Sequence, residues 1–253
     1  MYGLEGKIAV VTGASRGIGK QTALRLAAAG ATVVVHYRNR QSSADEVVQQ
    51  IEAQGGTAFT IQADFSEAAG PCTFYQRLDP ELQQRFGSNQ FDILVNNAGA
   101  GTRTVIEEVS EEELDETLQV DLKSPFFLIK HASSRLRNNG RIVNVSSMGT
   151  RVAYPEMAAY AAAKAGLEAL TLMLAPHFGP RGITINAVLP GATATDMNPG
   201  ATDPVRSLEI AQTIALRRVG QPEDIADVIV FLAGEGGRWI TGQRIDTSGG
   251  QRI

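Results

Sequence analysis

The amino-acid sequence predicts an α/β protein with one parallel, doubly wound sheet of about seven strands and helices on both faces. Short β-branched apolar runs alternate with segments that have helical apolar spacing and end in glycine. The apolar runs are continuous, which is typical of strands buried on both faces. The predicted strands are IAVVTG (8–13), TVVVHY (32–37), AFTIQAD (58–64), FDILVNNAG (91–99), GRIVNVSS (140–147), GITINAVLPG (182–191) and RIDTSGG (244–250).

The sequence also indicates how the chain is organised around this sheet. No linker or shift in composition divides the 253 residues, so we predict a single domain spanning residues 1–253. Residues 66–90 contain Gly-Pro and Asp-Pro pairs, which predict a broken or two-part helix. Pro176 predicts that the helix containing LEALTLML bends or ends near Ala175.

Composition and charge narrow the class of function. The net charge of −4 does not indicate a nucleic-acid partner, and no apolar run approaches the ~18 residues of a membrane span, so we expect a cytoplasmic protein. The only cysteine, Cys72, excludes an internal disulfide and a cysteine-based metal site. His36, His131 and His177 lack metal-ligand spacing. We therefore predict no metal and expect these histidines at the surface or at helix ends.

The segment TGASRGIG (12–19), between the first predicted strand and the first helix, has the pattern of a dinucleotide-binding loop. Glycines here permit a tight turn, close approach of the backbone to a pyrophosphate, and close packing of helix on strand. The N-terminus of the helix offers N–H groups and a positive dipole end to phosphate. We predict a Rossmann-type cofactor site formed by Gly13, Ser15, Arg16, Gly17, Ile18 and Gly19.

The choice of cofactor is predicted from the end of the second strand. An acidic residue there would bind the ribose 2′-hydroxyl of NAD, but the segment HYRNR (36–40) has none before Asp45. Arg38, together with Arg16, could pair with a 2′-phosphate, which favours NADP (NADPH). The alternative is that Arg38 and Arg40 are solvated loop charges.

Tyr160 and Lys164 lie four residues apart in the alanine-rich segment AAYAAAKAG (158–166), so one helix face presents both. A nearby cation lowers the pKa of a phenol from its usual ~10, which would suit proton exchange near neutral pH. Taken alone, the pair is also compatible with an ordinary amphipathic helix.

Five motifs occur in order along the chain: TGASRGIG (12–19), NNAG (96–99), VNVSS (143–147), the Tyr160 and Lys164 pair, and PGATATDM (190–197). In these motifs the sequence resembles the short-chain dehydrogenase/reductase family over essentially its whole length, and within it the 3-oxoacyl-acyl-carrier-protein reductases. The resemblance implies that Tyr160 exchanges a proton with the substrate oxygen. It also implies that Lys164 holds the nicotinamide ribose and depresses the pKa of Tyr160, and that Ser147 hydrogen-bonds the substrate carbonyl.

The resemblance implies further cofactor contacts along the carboxyl ends of the strands. The residues that we assign on this basis, in addition to Tyr160 and Lys164, are Tyr37, Asp64 and Phe65 at the ends of the second and third strands, Asn96, Asn97, Ala98 and Gly99 along the ribose path, and Pro190, Gly191, Thr193 and Thr195 near the nicotinamide.

One residue departs from the family pattern. In the stretch VDLKS (120–124) this chain carries Asp121, where family members usually have an asparagine that anchors a water linking the lysine to solvent. We assign Asp121 to the catalytic group. Either it accepts from the relay water and keeps Lys164 charged, or its charge raises the pKa of Tyr160 and slows the reaction at neutral pH. We expect retained activity, because the serine, tyrosine and lysine are all present.

These features together predict an NADP-dependent oxidoreductase that reduces a ketone, such as a 3-oxoacyl thioester, to a secondary alcohol. The alternatives are an alcohol or sugar dehydrogenase that works oxidatively, and a catalytically impaired NADP-binding regulatory protein. We expect a small-molecule substrate, either free or linked to a carrier. The resemblance implies that substrate choice lies in residues 101–104 and 192–217, and that the protein is a homotetramer or a dimer.

Overall fold

The computed structural model of the protein describes residues 3–252 and contains a seven-stranded sheet in which all neighbouring strands are parallel. Its order is β3-β2-β1-β4-β5-β6-β7. The strands are β1 (Ile8–Val11), β2 (Thr32–Tyr37), β3 (Thr57–Gln62), β4 (Phe91–Asn96), β5 (Leu136–Val145), β6 (Thr184–Pro190) and β7 (Arg244–Thr247). The predicted fold class is confirmed, and β5 begins at Leu136 rather than at Gly140.

Helices cover both faces of the sheet. They are α1 (Gly17–Ala28), α2 (Gln41–Ala53), α3 (Gly70–Phe86), α4 (Glu111–Leu118), α5 (Ser124–Ala132), α6 (Ala158–Phe178), α7 (Pro199–Thr202), α8 (Arg206–Gln212) and α9 (Pro222–Ala233). Alternate residues of β1 enter two different cores: Val11 packs with α1, α2 and α9, whereas Val10 packs with α3, α5 and α6. Burial on both faces explains why the strand sequences are apolar without alternation.

The segment predicted to form a broken helix is instead the continuous helix α3, so that prediction is wrong. Pro71 lies in the first turn, where the missing N–H has no intrahelical partner to lose. Pro80 removes one backbone hydrogen bond in the interior. Burial of Phe74, Leu78 and Leu82 along one face stabilises the helix against the sheet despite that loss.

Helix α6 carries the alanine-rich segment and runs through Pro176 to Phe178, so it does not stop at Ala175. A short 3₁₀ turn, Gly179–Arg181, follows it. The stretch Pro155–Arg181 is long and apolar enough to cross a membrane by length and composition alone, and 28% of its most apolar window is buried within the chain. Length and composition are weak evidence of a membrane span, because core helices of globular proteins share them.

Two features of the fold position the site. The chain leaves β1 towards β2 and β3 on one side and continues through β4 on the other, so a crevice opens at the carboxyl ends of β1 and β4. Between α4 and α5, one turn of π-helix, Gln119–Lys123, interrupts the helical ladder. Such turns often occur at functional sites. This one contains Asp121, which is fully buried.

Candidate active site

A cavity of about 1130 Å³ lies at the carboxyl ends of the central strands. It joins the glycine loop to the space around Tyr160. The predicted site residues that line it are Gly13, Ser15, Arg16, Gly17, Ile18, Arg38, Asp64, Phe65, Asn97, Ala98, Gly99, Ser147, Tyr160, Lys164, Pro190, Gly191, Thr193 and Thr195.

The glycine loop has the geometry of a phosphate cradle. Gly13 and Gly17 adopt φ values of 63° and 54°, a region that favours glycine. A β-carbon on Gly13 would lie 2.9 Å from the Ala98 backbone. No side chain caps the N-terminus of α1, and its first turn has no acidic residue, so its N–H groups face the cavity as an anion site. The residues present therefore fit a dinucleotide.

Three residues predicted to contact the cofactor do not line the cavity. The side chain of Tyr37 is buried and packs in the hydrophobic core with Val33 and Val35 instead of lining the cavity. Asn96 is buried and donates to Asn144 Oδ1 at 2.8 Å. Gly19 lies against the carbonyl of Gly13 and the side chain of Asn97, so it lets α1 approach the sheet.

His36 contradicts the expectation that the histidines lie at the surface or at helix ends. It is buried near the end of β2, where Nδ1 accepts from the Gly13 N–H at 3.0 Å and Nε2 donates to Ala63 O at 3.1 Å. Its ring stacks on Phe65, with centroids 4.2 Å apart. Burial lowers the pKa of His36 to about 4, so the neutral ring supports the glycine loop at neutral pH. Sequence patterns miss this role, since it depends on pairing between β1 and β2.

The arginines predicted to read the cofactor stand at the cavity edge and are paired with acids. Arg38 Nε lies 2.9 Å from Asp64 Oδ2, and the Arg38 guanidinium also donates to Ser66. Arg16 lies 2.9 Å from Asp196, which follows the cavity-lining residue Thr195. The bond from Arg16 lowers the pKa of Asp196. Both arginines are within reach of an anion in the groove.

Lys164 is buried at the centre of the site. Its Nζ donates to Val145 O and lies 2.9 Å from Asp121 Oδ1, while Asp121 Oδ2 accepts from the Ala100 N–H at 3.1 Å. Asp121 does not line the cavity, so it acts from behind the lysine. Burial opposes the charge on Lys164, but Asp121 and Tyr160 outweigh it and raise the pKa of the lysine.

Tyr160 lies one helical turn before Lys164, with the ammonium 5.5 Å from its ring centroid. Burial raises the pKa of the Tyr160 phenol, and the charge of Asp121 adds to that rise. Lys164, a hydrogen bond from Ser147 and the charge of Arg103 act in the lowering direction but are outweighed. The prediction that Lys164 depresses the pKa of Tyr160 is thus right for that interaction and wrong for the net shift.

Ser147 lies just beyond the end of β5 and directly before a 3₁₀ turn, Met148–Thr150. Its Oγ accepts from the Gly149 N–H at 3.1 Å. The hydroxyl still has its own hydrogen to donate, and Ser147 lines the same cavity as Tyr160. Ser147 is therefore placed to donate to an oxygen held beside Tyr160.

Beyond Tyr160 the cavity widens into a lobe that we call the substrate lobe, walled by Tyr154, Met157, Met197, Ile210, Gln251 and Arg252. A β-carbon on Gly101 would lie 3.1 Å from Met197, so the 101–104 and 192–217 segments meet over this lobe. Gln251 Oε1 accepts from the Ala192 N–H at 2.8 Å. Local sequence patterns cannot find Gln251 and Arg252, which reach the lobe from the far end of the chain.

Within residues 3–252, no group of three or more His, Cys, Asp or Glu side chains is arranged to hold a metal ion.

Comparison with known proteins identifies the class. A family model described as enoyl-(acyl carrier protein) reductase matches residues 13–252. The chain belongs to the short-chain dehydrogenase/reductase family and is an NAD(P)-dependent oxidoreductase. It is 39% identical over 246 residues to a 3-oxoacyl-[acyl-carrier-protein] reductase of Staphylococcus aureus (strain Mu50). The aligned region covers 96% of this chain and 97% of the relative.

Solved structures agree in fold. The promiscuous reductase LugOII, which catalyses keto-reduction at C1 during lugdunomycin biosynthesis, matches with a TM-score of 0.96 and 44% identity, covering 99% of this chain and 100% of the other. The landomycin C-6 ketoreductase LanV, with bound NADP and rabelomycin, matches with a TM-score of 0.92 and 42% identity over 99% and 98% of the two chains. The predicted family, fold and enzyme class are confirmed.

Proposed function

We propose that this protein is an NADPH-dependent ketoreductase that converts a ketone to a secondary alcohol. The observation that carries the proposal is that Ser147, Tyr160 and Lys164 line the same cavity as the glycine loop. One end of the cavity can hold a pyrophosphate and adenosine while the other brings a proton donor to the substrate oxygen. The relatives described above are reductases by name, and LanV was solved with NADP.

The glycine loop and the groove would hold NADPH, which when bound would supply a hydride, and the chain's own residues would handle the charge and the proton. Negative charge develops on the carbonyl oxygen, where Ser147 donates a hydrogen bond and Tyr160 donates its proton. Lys164 stabilises the phenolate that remains, and Asp121 is its counter-ion. Since burial and Asp121 raise the pKa of Tyr160, the phenol is held protonated. In that state Tyr160 has the proton that reduction of a ketone requires.

Two arginines support NADPH over NADH. We assign Arg16 and Arg38 to the 2′-phosphate, because both guanidinium groups stand at the groove, about half exposed, and already bind carboxylates. A phosphate carries more charge than a carboxylate and has three acceptor oxygens, so it can compete for both.

The substrate lobe supports a bulky ketone. Met157 and Met197 are flexible, polarisable walls that adapt to large apolar molecules, and Tyr154 adds an aromatic face. We propose a bulky ketone as the substrate, such as a polycyclic aromatic ketone or a 3-oxoacyl thioester. The substrate lobe would bind the ketone in the same way whether the substrate is free or linked to a carrier.

A turnover panel tests this function. Loss of NADPH absorbance is followed with acetoacetyl-CoA, a polycyclic aromatic ketone, a cyclic diketone and a quinone, and each reaction is repeated with NADH. We expect ketone-dependent oxidation of NADPH, slower with NADH. Tight NADPH binding without oxidation across the panel would favour the regulatory alternative, and faster turnover of secondary alcohols with NADP⁺ would favour the oxidative one.

We further propose that the chain acts as one domain and assembles with copies of itself into a tetramer. All seven strands belong to one sheet, which supports the single domain.

Two exposed apolar surfaces support the assembly. The first contains Phe126, Leu172 and Met173 on α5 and α6, and the second contains Phe231 and Trp239 beside the edge strand β7, where Trp239 is 95% exposed. Two distinct self-complementary surfaces generate a tetramer with two-fold axes.

Replacing Met173 with glutamate is expected to reduce the tetramer to a dimer, because a charge cannot be buried unpaired at the first surface. Light scattering after size-exclusion chromatography measures the mass. Phe86→Glu, at the exposed end of α3 outside both surfaces, is the matched control and should remain tetrameric. A wild-type monomer, or a Met173→Glu tetramer, would contradict the assignment.

The cytoplasmic location predicted from the sequence remains a proposal.

A further inference from the structure

Glu168 is a buried carboxylate that the reaction described above does not use. It lies on α6 one turn beyond Lys164, its side chain is 4% exposed, and it does not line the cavity. A charged side chain in such a position requires partners that compensate for the loss of water. The identity of those partners indicates what the residue does.

The partners of Glu168 lie on both sides of Ser147. Its Oε1 accepts from Ser146 Oγ at 2.6 Å and from Thr150 Oγ1 at 2.7 Å. Thr150 Oγ1 is also 2.9 Å from Ser147 O, but its single hydrogen favours the closer and charged acceptor. Arg244 reaches the other oxygen, Oε2, at 3.7 Å. The carboxylate thus ties the residue before Ser147 and the end of the following turn to one point on α6.

The same helix places the other two groups of the site. Residues at i and i+4 share a helix face, so Tyr160, Lys164 and Glu168 form one row along α6. Ser147 comes from a different element, the end of β5, and its position relative to that row has to be fixed across the interface. Glu168 is the side chain in the described part of the chain that bonds both flanks of Ser147 to that row.

We propose that Glu168 is a positioning residue that holds the Ser147 hydroxyl at the distance and angle from Tyr160 that the proton transfer requires. The inference rests on the proposed ketoreductase function. It assigns to Glu168 no contact with substrate or cofactor. Its role is carried by the two hydroxyl bonds, and the charge pair with Arg244 is secondary because Arg244 is 58% exposed.

The geometry distinguishes two substitutions. Glu168→Gln keeps an oxygen that can accept from Ser146 and Thr150, whereas Glu168→Leu keeps the volume but removes both acceptors. We expect Glu168→Gln to retain kcat within about threefold. We expect Glu168→Leu to lower kcat by about 10- to 100-fold, the effect of misplacing a reacting group by roughly 1 Å. The Kd for NADPH should stay within about twofold in both.

Thr171→Val is the matched control. Thr171 is buried on the same helix and accepts from Asn144 Nδ2 at 2.9 Å, without contact to the turn after Ser147. The control should lose thermal stability but keep kcat. If Glu168→Leu lowers kcat no more than Thr171→Val does, or if Glu168→Gln and Glu168→Leu lose kcat equally, the proposal is overturned.

A second measurement does not depend on the folding of the leucine variant. Thr150→Val removes one of the two bonds from a half-buried position. Because the hydrogen bond from Ser147 lowers the pKa of Tyr160, loosening Ser147 should move the alkaline limb of the kcat profile to higher pH. An unmoved limb with full kcat would count against the proposal. Wild-type inactivity on the ketone panel would refute the proposed function instead, so the two failures can be told apart.

Discussion

Replacing Tyr160 with phenylalanine is expected to lower kcat for ketone reduction by about 10²- to 10⁴-fold, the usual contribution of a positioned general acid. The phenol is the group beside which Ser147 and Lys164 converge, and its oxygen carries the proton that the alkoxide needs. The ring remains after the substitution, so the walls of the cavity keep their shape. NADPH oxidation under saturating substrate measures the effect.

Binding separates this loss from damage to the site. Lys164 is held by Val145 O and by Asp121, neither of which the substitution touches, so NADPH affinity measured by calorimetry should change less than about threefold. Tyr154→Phe removes a hydroxyl from the same cavity and is the matched control, with kcat within about threefold of wild type. A Tyr160→Phe variant with more than about a tenth of wild-type kcat would show that another group supplies the proton.

The parts of the fold that the sequence predicts are those set by local pattern. Strands that are buried on both faces need continuous β-branched apolar runs such as TVVVHY. Such a run therefore predicts both a strand and a parallel sheet covered on both faces. The glycine loop is equally local, because left-handed backbone at Gly13 and Gly17 is a property that few other residues tolerate. The order of the five motifs is also a property of the sequence, and it carries the resemblance to the family.

The sequence fails where distant elements decide the outcome. Helix α3 stays continuous because burial of Leu78 and Leu82 against the sheet stabilises it. The local preference of proline to break a helix does not include that packing energy. Tyr37 turns into the core because the twist and pairing of β2 determine its face. His36 becomes a support for Gly13 only when β1 and β2 are side by side. Each of these errors arises because a contact with a distant part of the chain decides the outcome.

Asp121 shows the same limit at the candidate site. The sequence left two outcomes open, and the geometry combines them: the carboxylate pairs with Lys164 at 2.9 Å, and its charge also raises the pKa of Tyr160. Burial raises the pKa of Asp121 itself, but the bonds from Lys164 and the Ala100 N–H oppose that rise and favour the ion pair. A reductase can use this arrangement, since it needs the phenol and not the phenolate to meet the substrate.

Replacing Asp121 with asparagine is expected to move the pH profile in a definite direction. Removing the negative charge removes one of the two causes that raise the pKa of Tyr160, while burial and Lys164 remain, so that pKa falls. Reduction needs protonated Tyr160 and is lost as pH rises through that pKa, so its alkaline limb should move to lower pH. Oxidation of a secondary alcohol needs the phenolate and should become faster near neutral pH, by up to about tenfold. Initial rates in both directions across the pH range measure this shift.

Stability should fall in the same variant, because asparagine cannot form the 2.9 Å ion pair with Lys164 and would leave that buried ammonium without its counter-ion. A loss of about 1–3 kcal/mol in the free energy of unfolding is expected. Asp92→Asn is the matched control: Asp92 is also buried and paired, with Arg137 at 2.9 Å, but at the start of β4, the end of the strand away from the cavity. It should lose stability and leave the pH profile in place. Asp121→Asn could instead lose stability while its pH profile stays the same as that of Asp92→Asn. Asp121 would then pair with Lys164 without changing the pKa of Tyr160. Burial of the phenol would be the one remaining cause that keeps Tyr160 protonated.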